Sequence, residues 1–400
     1  MSELRLGDVA QVFDCEHKTA PAAQPGREFA FSVGTPALRG AGIDFSQAKP
    51  VDEETYLAWS RRAELTRGDL ILAREAPVGG VGLIDGARKV CLGQRTVLVR
   101  PSPEQIDSKY MFYLLRSPGP QEWMEMHSEG STVRHLNVSD VRRISLGELP
   151  ALEEQRRIAG VLGALDDLIE VNRGLIQDLD LQARLLGSRF LAEHPGSDRV
   201  SFGEIAEVTK GFSYKSAQLV PGGGWLVNLK NVGRTGTFEA RGFKPLSASP
   251  KPQQVVDNGT VLVAQTDLTQ DREVIARPVR VRRGAHEGEL VASLDLAIVR
   301  PRQPHTEESI YAILDTEDFR SHALGYCNGT TVLHMGARAL PDYLAPSLES
   351  FEIEAFTRLA RPLREAADAL NTEALELEST RDELLPLLMS GRVRVGDVAA

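Results

Sequence analysis

The sequence predicts a mixed α+β protein in which a β-rich domain followed by a long helix occurs twice. Three observations lead to this fold class. The chain of 400 residues is similar to itself at a spacing of about 200 residues, the first part of each repeat is rich in short β-branched runs, and the last part has a heptad pattern. A period of this length is too long for a solenoid, so it indicates two copies of a whole domain.

Four collinear matches define the repeat. The paired segments are Leu4–Val12 with Val200–Val208, Gly68–Arg74 with Gly259–Gln265, Val99–Pro101 with Val299–Pro301, and Gly130–His135 with Gly329–His334. Each match alone is short, but all four occur in the same order in both halves. The repeat therefore predicts two pseudo-symmetric domains, which we place at residues 1–150 and 193–350.

Short strands are expected in the first part of each copy. Runs of alternating or β-branched residues, such as those at residues 69–73 and 260–264, are separated by Gly, Pro and Asp. The segment His194–Ser197 reads as a loop that joins the two copies.

Each domain is followed by a heptad ladder, a series of mostly apolar positions spaced alternately four and three residues apart. This spacing predicts long helices over residues 151–192 and 351–392. Pro150 and the acidic pair Glu153 and Glu154 suit the start of the first helix. The ladder positions expected to pack are Leu162, Leu165, Ile169, Asn172, Ile176 and Leu179 in the first helix, and Leu363, Leu370, Leu377 and Leu384 in the second. Helices of about 35 residues would be roughly 50 Å long, and the simplest arrangement is an antiparallel coiled coil.

Two ladder features leave alternatives open. Asn172 is either a buried polar residue that sets the register of the coiled coil or a solvated fraying point. Pro362 lies early in the second helix and is expected to kink it or to delay its start.

Composition places the chain among ordinary globular proteins. It is 42% hydrophobic and 26% charged, and no apolar run reaches the roughly 18 residues that a membrane span needs. The N-terminus lacks a signal-peptide pattern, and the three cysteines (Cys15, Cys91, Cys327) are too few and too widely spaced for a disulfide framework. We therefore expect a cytoplasmic protein. The net charge of −10 is concentrated on the two helical segments, so it does not exclude DNA binding by the β-rich domains.

Catalytic and cofactor motifs are absent from the sequence. There is no P-loop, no dinucleotide-binding turn, no Asn/Asp/Ser-Pro-Pro-aromatic methyltransferase loop and no Gly-x-Ser-x-Gly elbow. Cys15 and His17 could ligate a metal, but no second ligand pair accompanies them. We predict a binding and positioning protein with no catalytic residues, no metal and no cofactor of its own.

Several segments carry a resemblance to the specificity subunits of type I restriction-modification systems, and it covers almost the whole chain. Asp14–Pro21 is similar to the family's Asp-Cys-x-His-x-Thr-Pro segment, and Gly130–Asn137 followed by Leu149–Ile158 is similar to its Gly-Ser-Thr loop and Pro-Pro-Leu-x-Glu-Gln helix opening. Ala151 replaces the second proline of that opening, and residues 349–354 depart from it. Further similar segments are Gly68–Pro77, Cys91–Arg95 and Leu384–Val393.

The resemblance implies a DNA sequence-recognition subunit. Two target recognition domains would each read one half of a bipartite double-stranded target, and the two helices would be spacers that fix the gap between the half-sites. Two methyltransferase subunits would pack on the helices and supply S-adenosylmethionine chemistry, and restriction-translocase subunits could join them.

Residues that could contact DNA lie in loops at matched positions of the two copies. Arg and Lys suit guanine or phosphate, and Asn and Gln suit adenine. The candidates are His17, Lys18, Thr19, Arg74, Thr132, Arg134 and His135 in the first domain, and Lys210, Tyr214, Lys215, Lys230, Asn231, Gln265, Thr331 and His334 in the second. The weaker candidates Arg280, Arg282 and Arg283 read as a solvated strand edge.

Two other functions remain open at this point. The chain could be a structural adaptor of a phage-defence assembly that no longer reads DNA, or an enzyme with an unfamiliar site around Asp14, Cys15 and His17.

Overall fold

The computed structural model describes residues 4–38, 42–130, 134–194, 198–267, 271–284, 286–329 and 332–398. The chain divides into two compact units. The first contains Met1–Leu168 together with Leu377–Ala400, and the second contains Ile169–Glu376. Each unit therefore combines one β-rich domain with parts of two long helices.

The first β-rich domain alternates short strands with short helices. Its strands are β1 (Ala10–Asp14), β2 (Ala30–Val33), β3 (Lys49–Val51), β4 (Leu70–Arg74), β5 (Val78–Leu83), β6 (Val90–Leu92) and β7 (Thr96–Pro101). Its helices are α1 (Leu6–Val9), α2 (Glu53–Trp59), α3 (Ser108–Arg116), α4 (Pro118–His127) and α5 (Val138–Arg142). The long helix α6 (Leu152–Ala192) follows.

The main sheet of this domain is antiparallel, in the order β1-β7-β4-β5, and a smaller sheet has the order β3-β2-β6. Strand β4 is buried on both faces, because successive side chains of a strand point to opposite sides. Leu70 and Leu72 pack in the core that contains α3, whereas Ile71 and Ala73 pack in the core that contains the smaller sheet. The main sheet is thus the middle layer of the domain.

The second β-rich domain has more and shorter strands. They are β8 (Arg199–Ser201), β9 (Ala206–Lys210), β10 (Gly224–Val227), β11 (Lys244–Leu246), β12 (Val255–Val256), β13 (Val261–Ala264), β14 (Thr266–Asp267), β15 (Pro278–Arg280), β16 (Glu289–Ala292), β17 (Leu296–Pro301), β18 (Cys327–Asn328), β19 (Leu333–Met335) and β20 (Leu344–Pro346). The helices of this half are α7 (Phe202–Ile205), α8 (Glu307–Leu314) and α9 (Glu317–Leu324), and α10 (Ser350–Met389) and α11 (Val395–Val398) follow.

The main sheet of the second domain repeats that of the first. Its order β9-β17-β13-β15 matches β1-β7-β4-β5 strand for strand. The register matches as well, since Leu70 pairs with Val99 in the first domain and Val261 pairs with Val299 in the second. The predicted fold class is confirmed: helices and sheets are mixed, the β-rich fold is duplicated, and each copy leads into a long helix. The predicted boundaries of the four segments stay a prediction.

The start of α6 is fixed by Gln155, which is almost fully buried. Its side-chain oxygen accepts a hydrogen bond from the backbone nitrogen of Asp107, and its amide nitrogen donates to the carbonyl of Pro150. Gln155 therefore joins the helix to the loop before α3. Helix α10 begins at Ser350, twelve residues before Pro362, so Pro362 does not delay the helix as one alternative supposed.

Both heptad ladders are turned inward, because no ladder residue of either helix is exposed. In the second unit, Asp180 of α6 accepts a hydrogen bond from Arg364 of α10 and Phe190 stacks on Phe356, with 4.5 Å between ring centroids. Residue numbers rise along α6 while they fall along α10, so the two helices are antiparallel in this unit. Asn172 is 6% exposed, which rules out a solvated position, and its amide nitrogen has no hydrogen-bond partner among the described residues.

In the first unit, the start of α6 packs against the end of α10. Arg381, a ladder residue of α10, is buried and donates to Asp166 over 2.7 Å. Asp166 also accepts the hydroxyl of Tyr113 of α3 over 2.6 Å. The β-rich domain and both long helices therefore meet at one carboxylate in this unit.

A buried ion-pair network joins the second β-rich domain to both long helices. Asp368 of α10 accepts from Arg280 over 2.6 Å and from Arg282 over 3.0 Å, and Arg282 also donates to Asp180 of α6. The side chains of Arg282 and Asp368 are 8% and 13% exposed. Burial alone would lower the pKa of Arg282, but the hydrogen bond to Asp180 and the charge of Asp368 outweigh it, so the pKa lies above its ordinary value.

Replacing Asp368 should destabilise the second unit strongly. The Asp368→Asn substitution removes the carboxylate that pairs with Arg280 and one of the two that pair with Arg282, and breaking such a buried pair costs about 3 kcal/mol or more. Thermal unfolding of wild type and variant measures the loss. Asp342→Asn is the matched control, because Asp342 pairs with Arg338, whose side chain is 80% exposed. A similar fall in midpoint for both variants would contradict a special role of the network.

A histidine links the end of α6 to the start of α10. His194 contacts the carbonyl oxygen of Phe190 over 2.7 Å and a carboxylate oxygen of Glu352 over 2.8 Å. The Phe190 carbonyl and the Glu352 carboxylate raise the pKa of His194 above its ordinary value of 6.5, against the smaller effect of burial.

This contact predicts a pH dependence of stability. A raised pKa in the folded state stabilises the protein below about pH 6.5 and loses that effect as the pH rises through the folded-state value. The unfolding midpoint of wild type should therefore exceed that of His194→Ala by more at pH 6 than at pH 8. The comparison needs the variant, because burial lowers the pKa of His286 and His305, whose contributions have the opposite sign. A difference that does not change with pH would exclude a protonated His194.

Candidate nucleic-acid interface

The end of the central strand carries a different polar residue in each domain. Ala73 pairs with Thr96 at the end of β4, and Ala264 pairs with Leu296 at the end of β13. The next residues, Arg74 and Gln265, therefore occupy the same position. Differing side chains at one position of a shared framework are what two different half-sites would require.

The two duplicated histidines also occupy one position. His135 forms a β-bridge with Glu75, and His334 pairs with Thr266. The residue after each histidine donates its backbone nitrogen to the central strand, from Leu136 to Arg74 and from Met335 to Gln265, over 2.8 Å in both cases. His334 is exposed and His135 is half-buried. The nearby candidates Thr132 and Thr331 lie outside the described residues.

The candidate loops after the first strand begin at matched positions too. Asp14 is the last residue of β1 and pairs with Val97, and Lys210 is the last residue of β9 and pairs with Ala297. Strand β1 pairs with β7, and β9 pairs with β17. Strands β7 and β17 in turn pair with the central strands β4 and β13. Each domain thus gathers its candidate loops at one end of its main sheet, and the charges at the two matched positions are opposite.

Three side chains close a hydrogen-bonded network in the first domain. His17 Nε2 lies 2.8 Å from Asp14 Oδ2, and His17 Nδ1 lies 3.1 Å from Arg74 Nη2. A guanidinium only donates, so Nδ1 of His17 must accept, and the ring proton is then on Nε2 and faces the carboxylate. Arg74 also donates to the carbonyl of Leu136 over 3.1 Å, and its side chain is 11% exposed. Arg74 therefore acts as a support of the loop, while His17 is half exposed.

The same loop brings together three possible metal ligands. One ligand atom from each of Asp14, Cys15 and His17 lies within 4.8 Å of the others. The Arg74 guanidinium contacts the His17 ring and lies 3.8 Å from Asp14, so its positive charge opposes a cation at this place. Cys15 is also 2% exposed, which does not favour a reactive thiolate open to substrate.

The remaining candidates of the first domain are exposed. Lys18 forms no ion pair within the described part of the chain, and Thr19 donates its hydroxyl to Gln94 Oε1 over 2.9 Å. Arg134 pairs with Glu125 over 3.2 Å, and both side chains are largely exposed. Such a surface pair is worth little and can open for a phosphate.

In the second domain, Lys210 and Lys215 are exposed. Tyr214 is partly buried and packs against the core of a second sheet, which has the strand order β11-β10-β16-β12. Gly211 between them is required, because a Cβ atom there would overlap the carbonyl oxygen of Ser293. The loop therefore lies directly against the end of β16, and its two lysines remain at the surface.

Three sequence-based candidates have little exposed surface and bind neighbouring groups of the protein. Asn231 is fully buried, and its amide binds the backbone of Asn228 and Glu239, while its neighbour Lys230 is exposed. The second correction concerns Arg280 and Arg282: they read as a solvated strand edge, but they belong to the buried network described above. The sequence reading failed there because the compensating carboxylates lie about 90 to 100 residues away.

Two further arginines contact the candidate loops of the first domain, and the sequence did not indicate them. Arg95 pairs with Glu75 over 3.2 Å and has a left-handed φ of 71°. Arg62 donates to the carbonyl oxygen of Cys15 over 3.0 Å. Only the pairing of distant segments brings these residues to the loop, although Arg95 does end one of the segments that resembles the family.

Comparison with known proteins agrees with this geometry. Residues 1–181 match the family described as the type I restriction modification DNA specificity domain. The putative type I restriction enzyme MjaX specificity subunit of Methanocaldococcus jannaschii is 33% identical over 26% of this chain and 24% of its own length. The MjaVIII specificity subunit of the same organism is 20% identical over 77% of this chain and 75% of its own length.

The fold is similar to that of a solved S subunit. The crystal structure of the type I restriction-modification system S subunit from M. genitalium aligns over 97% of this chain and 95% of that chain, with a TM-score of 0.59 and 14% identity. The fold is a duplicated β-rich domain in which each copy carries its candidate loops at one end of the main sheet. Residues 1–181 thus match the type I restriction modification DNA specificity domain, and over most of its length the chain is similar to type I specificity subunits in sequence and in fold. Within the described residues, no helix is both long and apolar enough to cross a lipid bilayer.

Proposed function

We propose that this chain reads a bipartite DNA sequence, one half with each β-rich domain. The observation that carries the proposal is the matched pair of sheet ends. The first strands end at matched positions in Asp14 and Lys210, and the matched position at the end of the central strands holds Arg74, which supports its loop, in one domain and Gln265 in the other. A shared framework with different side chains at its tip suits two readers of different sequences.

The long helices would serve as the spacer and as the platform for two methyltransferase subunits. Surface residues of α6 in the second unit include Val171, Leu175, Leu181 and Leu185, which are 56%, 45%, 55% and 60% exposed. Exposed apolar side chains in such number on one helix mark a surface that a partner covers. The partner subunits would bring S-adenosylmethionine and carry out adenine methylation, and restriction-translocase subunits could join the same assembly.

Binding of methyltransferase subunits tests the platform. The full chain, co-expressed with a methyltransferase subunit of a type I system from the same host, should purify as a complex of two methyltransferase chains to one specificity chain. The mass of the complex, measured by light scattering, gives the stoichiometry. Because apolar burial should drive the association, Leu181→Glu with Leu185→Glu should weaken it, whereas Arg189→Ala, at a 79% exposed cation of the same helix, should not. Independent elution of the two proteins would argue strongly against the proposal.

The lysines of the second domain test DNA contact directly. If Lys210 and Lys215 meet phosphates, the Lys210→Ala and Lys215→Ala substitutions should each weaken DNA binding by the assembled complex. Each lost contact should also lower the slope of log affinity against log salt by about 0.9. Binding is measured by fluorescence anisotropy over a salt series, with Arg189→Ala as the control cation outside the β-rich domain. Unchanged affinity and slope would favour the alternative of a structural adaptor that does not read DNA.

A further inference from the structure

The connection that follows the central strand is longer in the second domain than in the first. Residues 75–77 connect β4 to β5, whereas residues 265–277 connect β13 to β15 and include the short strand β14. The longer connection carries Arg272 and Arg277, and the shorter one carries no arginine. Both arginines lie outside the segments that carry the family resemblance, so they belong to a feature of this domain.

Arg277 lies beside the end of the central strand, next to the position of Gln265. Its carbonyl oxygen accepts the backbone nitrogen of Ala264, the last residue of β13, over 3.1 Å. In the first domain the equivalent residue is Gly80, since Gly80 and Arg277 each directly precede a residue that pairs with the same position of the central strand. The second domain therefore has a cation near its candidate loops where the first domain has no side chain.

The guanidinium of Arg277 is anchored through one nitrogen and keeps its other donors unused. Its Nε atom donates to the carbonyl oxygen of Glu273 over 2.9 Å, and the side chain is half-buried. The carboxylate of Glu273 pairs with Arg234 over 3.0 Å. The two terminal nitrogens of Arg277 form no hydrogen bond or ion pair with the described residues. A guanidinium held in this way presents the paired donors that fit a phosphate.

Arg320 of α9 supplies a second cation beside the same connection. One of its terminal nitrogens donates to the carbonyl oxygen of Arg272, and it forms no ion pair with any residue that the structure describes. Its backbone nitrogen donates to Thr316, the N-cap residue of α9, just as that of Gln121 in the first domain donates to Ser117, the N-cap residue of α4. Arg320 thus occupies the position of a neutral residue of the first domain.

The surroundings of Arg277 are positively charged. Burial lowers the pKa of Arg277, and the charges of Arg320 and Arg184, which outweigh those of Asp315 and Glu317, lower it further. Asp315 is already bound to Arg184 by two hydrogen bonds, over 2.7 and 3.1 Å. An anion that contacted Arg277 and Arg320 together would relieve this repulsion.

We propose that Arg277 and Arg320 form a binding site for phosphates of the DNA backbone, at positions that are neutral in the first domain. This inference rests on the proposed function, and it goes beyond it because it makes the two domains unequal: the second holds the DNA backbone with two cations that the first does not have there. Phosphate contacts position a protein on DNA without reading bases. The site therefore sets affinity and does not select the accepted sequence.

Removal of each charge in the full complex with its methyltransferase subunits tests the site. Arg277→Gln and Arg320→Gln keep a polar side chain without the cation, and DNA binding is measured by fluorescence anisotropy over a salt series. Each substitution should lower the slope of log affinity against log salt by about 0.9. It should weaken binding to the target duplex and to an unrelated duplex by the same factor, because phosphates carry no sequence information. Arg277→Lys and Arg320→Lys keep the charge and should retain most of the wild-type slope.

Neutral phosphates show where the contact lies. In a series of target duplexes, each has one methylphosphonate in place of a phosphate. Wild type should bind more weakly when the methylphosphonate lies at one or two positions of one half-site. At those positions the glutamine variants should show no further loss, since the contact is already absent.

The matched control is Arg302→Gln, which should leave the salt slope unchanged. Arg302 is an exposed arginine that follows the last residue of β17, whereas the candidate loops lie at the opposite end of that strand. Arg277→Ala and Arg320→Ala replace a glutamine variant that unfolds, as judged by its melting curve.

The outcomes separate this inference from the proposed function. A wild-type complex that binds no duplex would overturn the proposed function itself. A wild-type complex that binds its target, with a salt slope that neither charge removal changes, would overturn only the phosphate site. Weaker binding of the methyltransferase subunits with an unchanged slope would assign the two arginines to a protein contact, and that result would overturn the site as well.

Discussion

The structure depends on a central strand in each domain that is buried on both faces. Residues of β4 and β13 have almost no exposed surface, so each main sheet must be covered by helices on one side and by a second sheet on the other. Burying a strand on both faces removes it from any binding role along its length. Its end is the part that reaches the surface, and Arg74 and Gln265 follow directly there. The loops that could read DNA are therefore confined to one end of each sheet.

The second constraint is electrostatic and lies where the β-rich domains meet the long helices. In the first unit Asp166 binds Tyr113 and Arg381, and in the second unit Asp368 binds Arg280 and Arg282. Buried ions contribute little net stability, but they are costly to leave unpaired, so they allow only one placement of the groups that they join. Under the proposed function, such a fixed attachment would hold each DNA-reading domain in one position relative to the long helices.

Much of the fold follows from patterns that need no tertiary information. The repeat predicted two copies of one domain, and the strand orders and registers of the two main sheets agree with it. Heptad spacing predicted two long helices, and the structure has them as α6 and α10. The helix at Ser350 was harder to place, because its opening departs from that of the first helix and Pro362 suggested a delay. Pro362 in fact lies in the interior of α10, twelve residues after Ser350, where proline is locally unfavourable, so only the coordinates show that the helix continues through it.

The duplication and the mixed fold are predicted from the amino-acid sequence, because local periodicity and self-similarity are properties of the linear chain. The same patterns indicate the loops in which recognition residues are to be sought. Which side chains of those loops are available depends on the folded structure. Asn231 is enclosed, Arg280 and Arg282 are joined to distant carboxylates, and Arg74 is bound to His17. The physical reason is that a polar side chain's role depends on its partners, and most of these partners lie far away in the sequence.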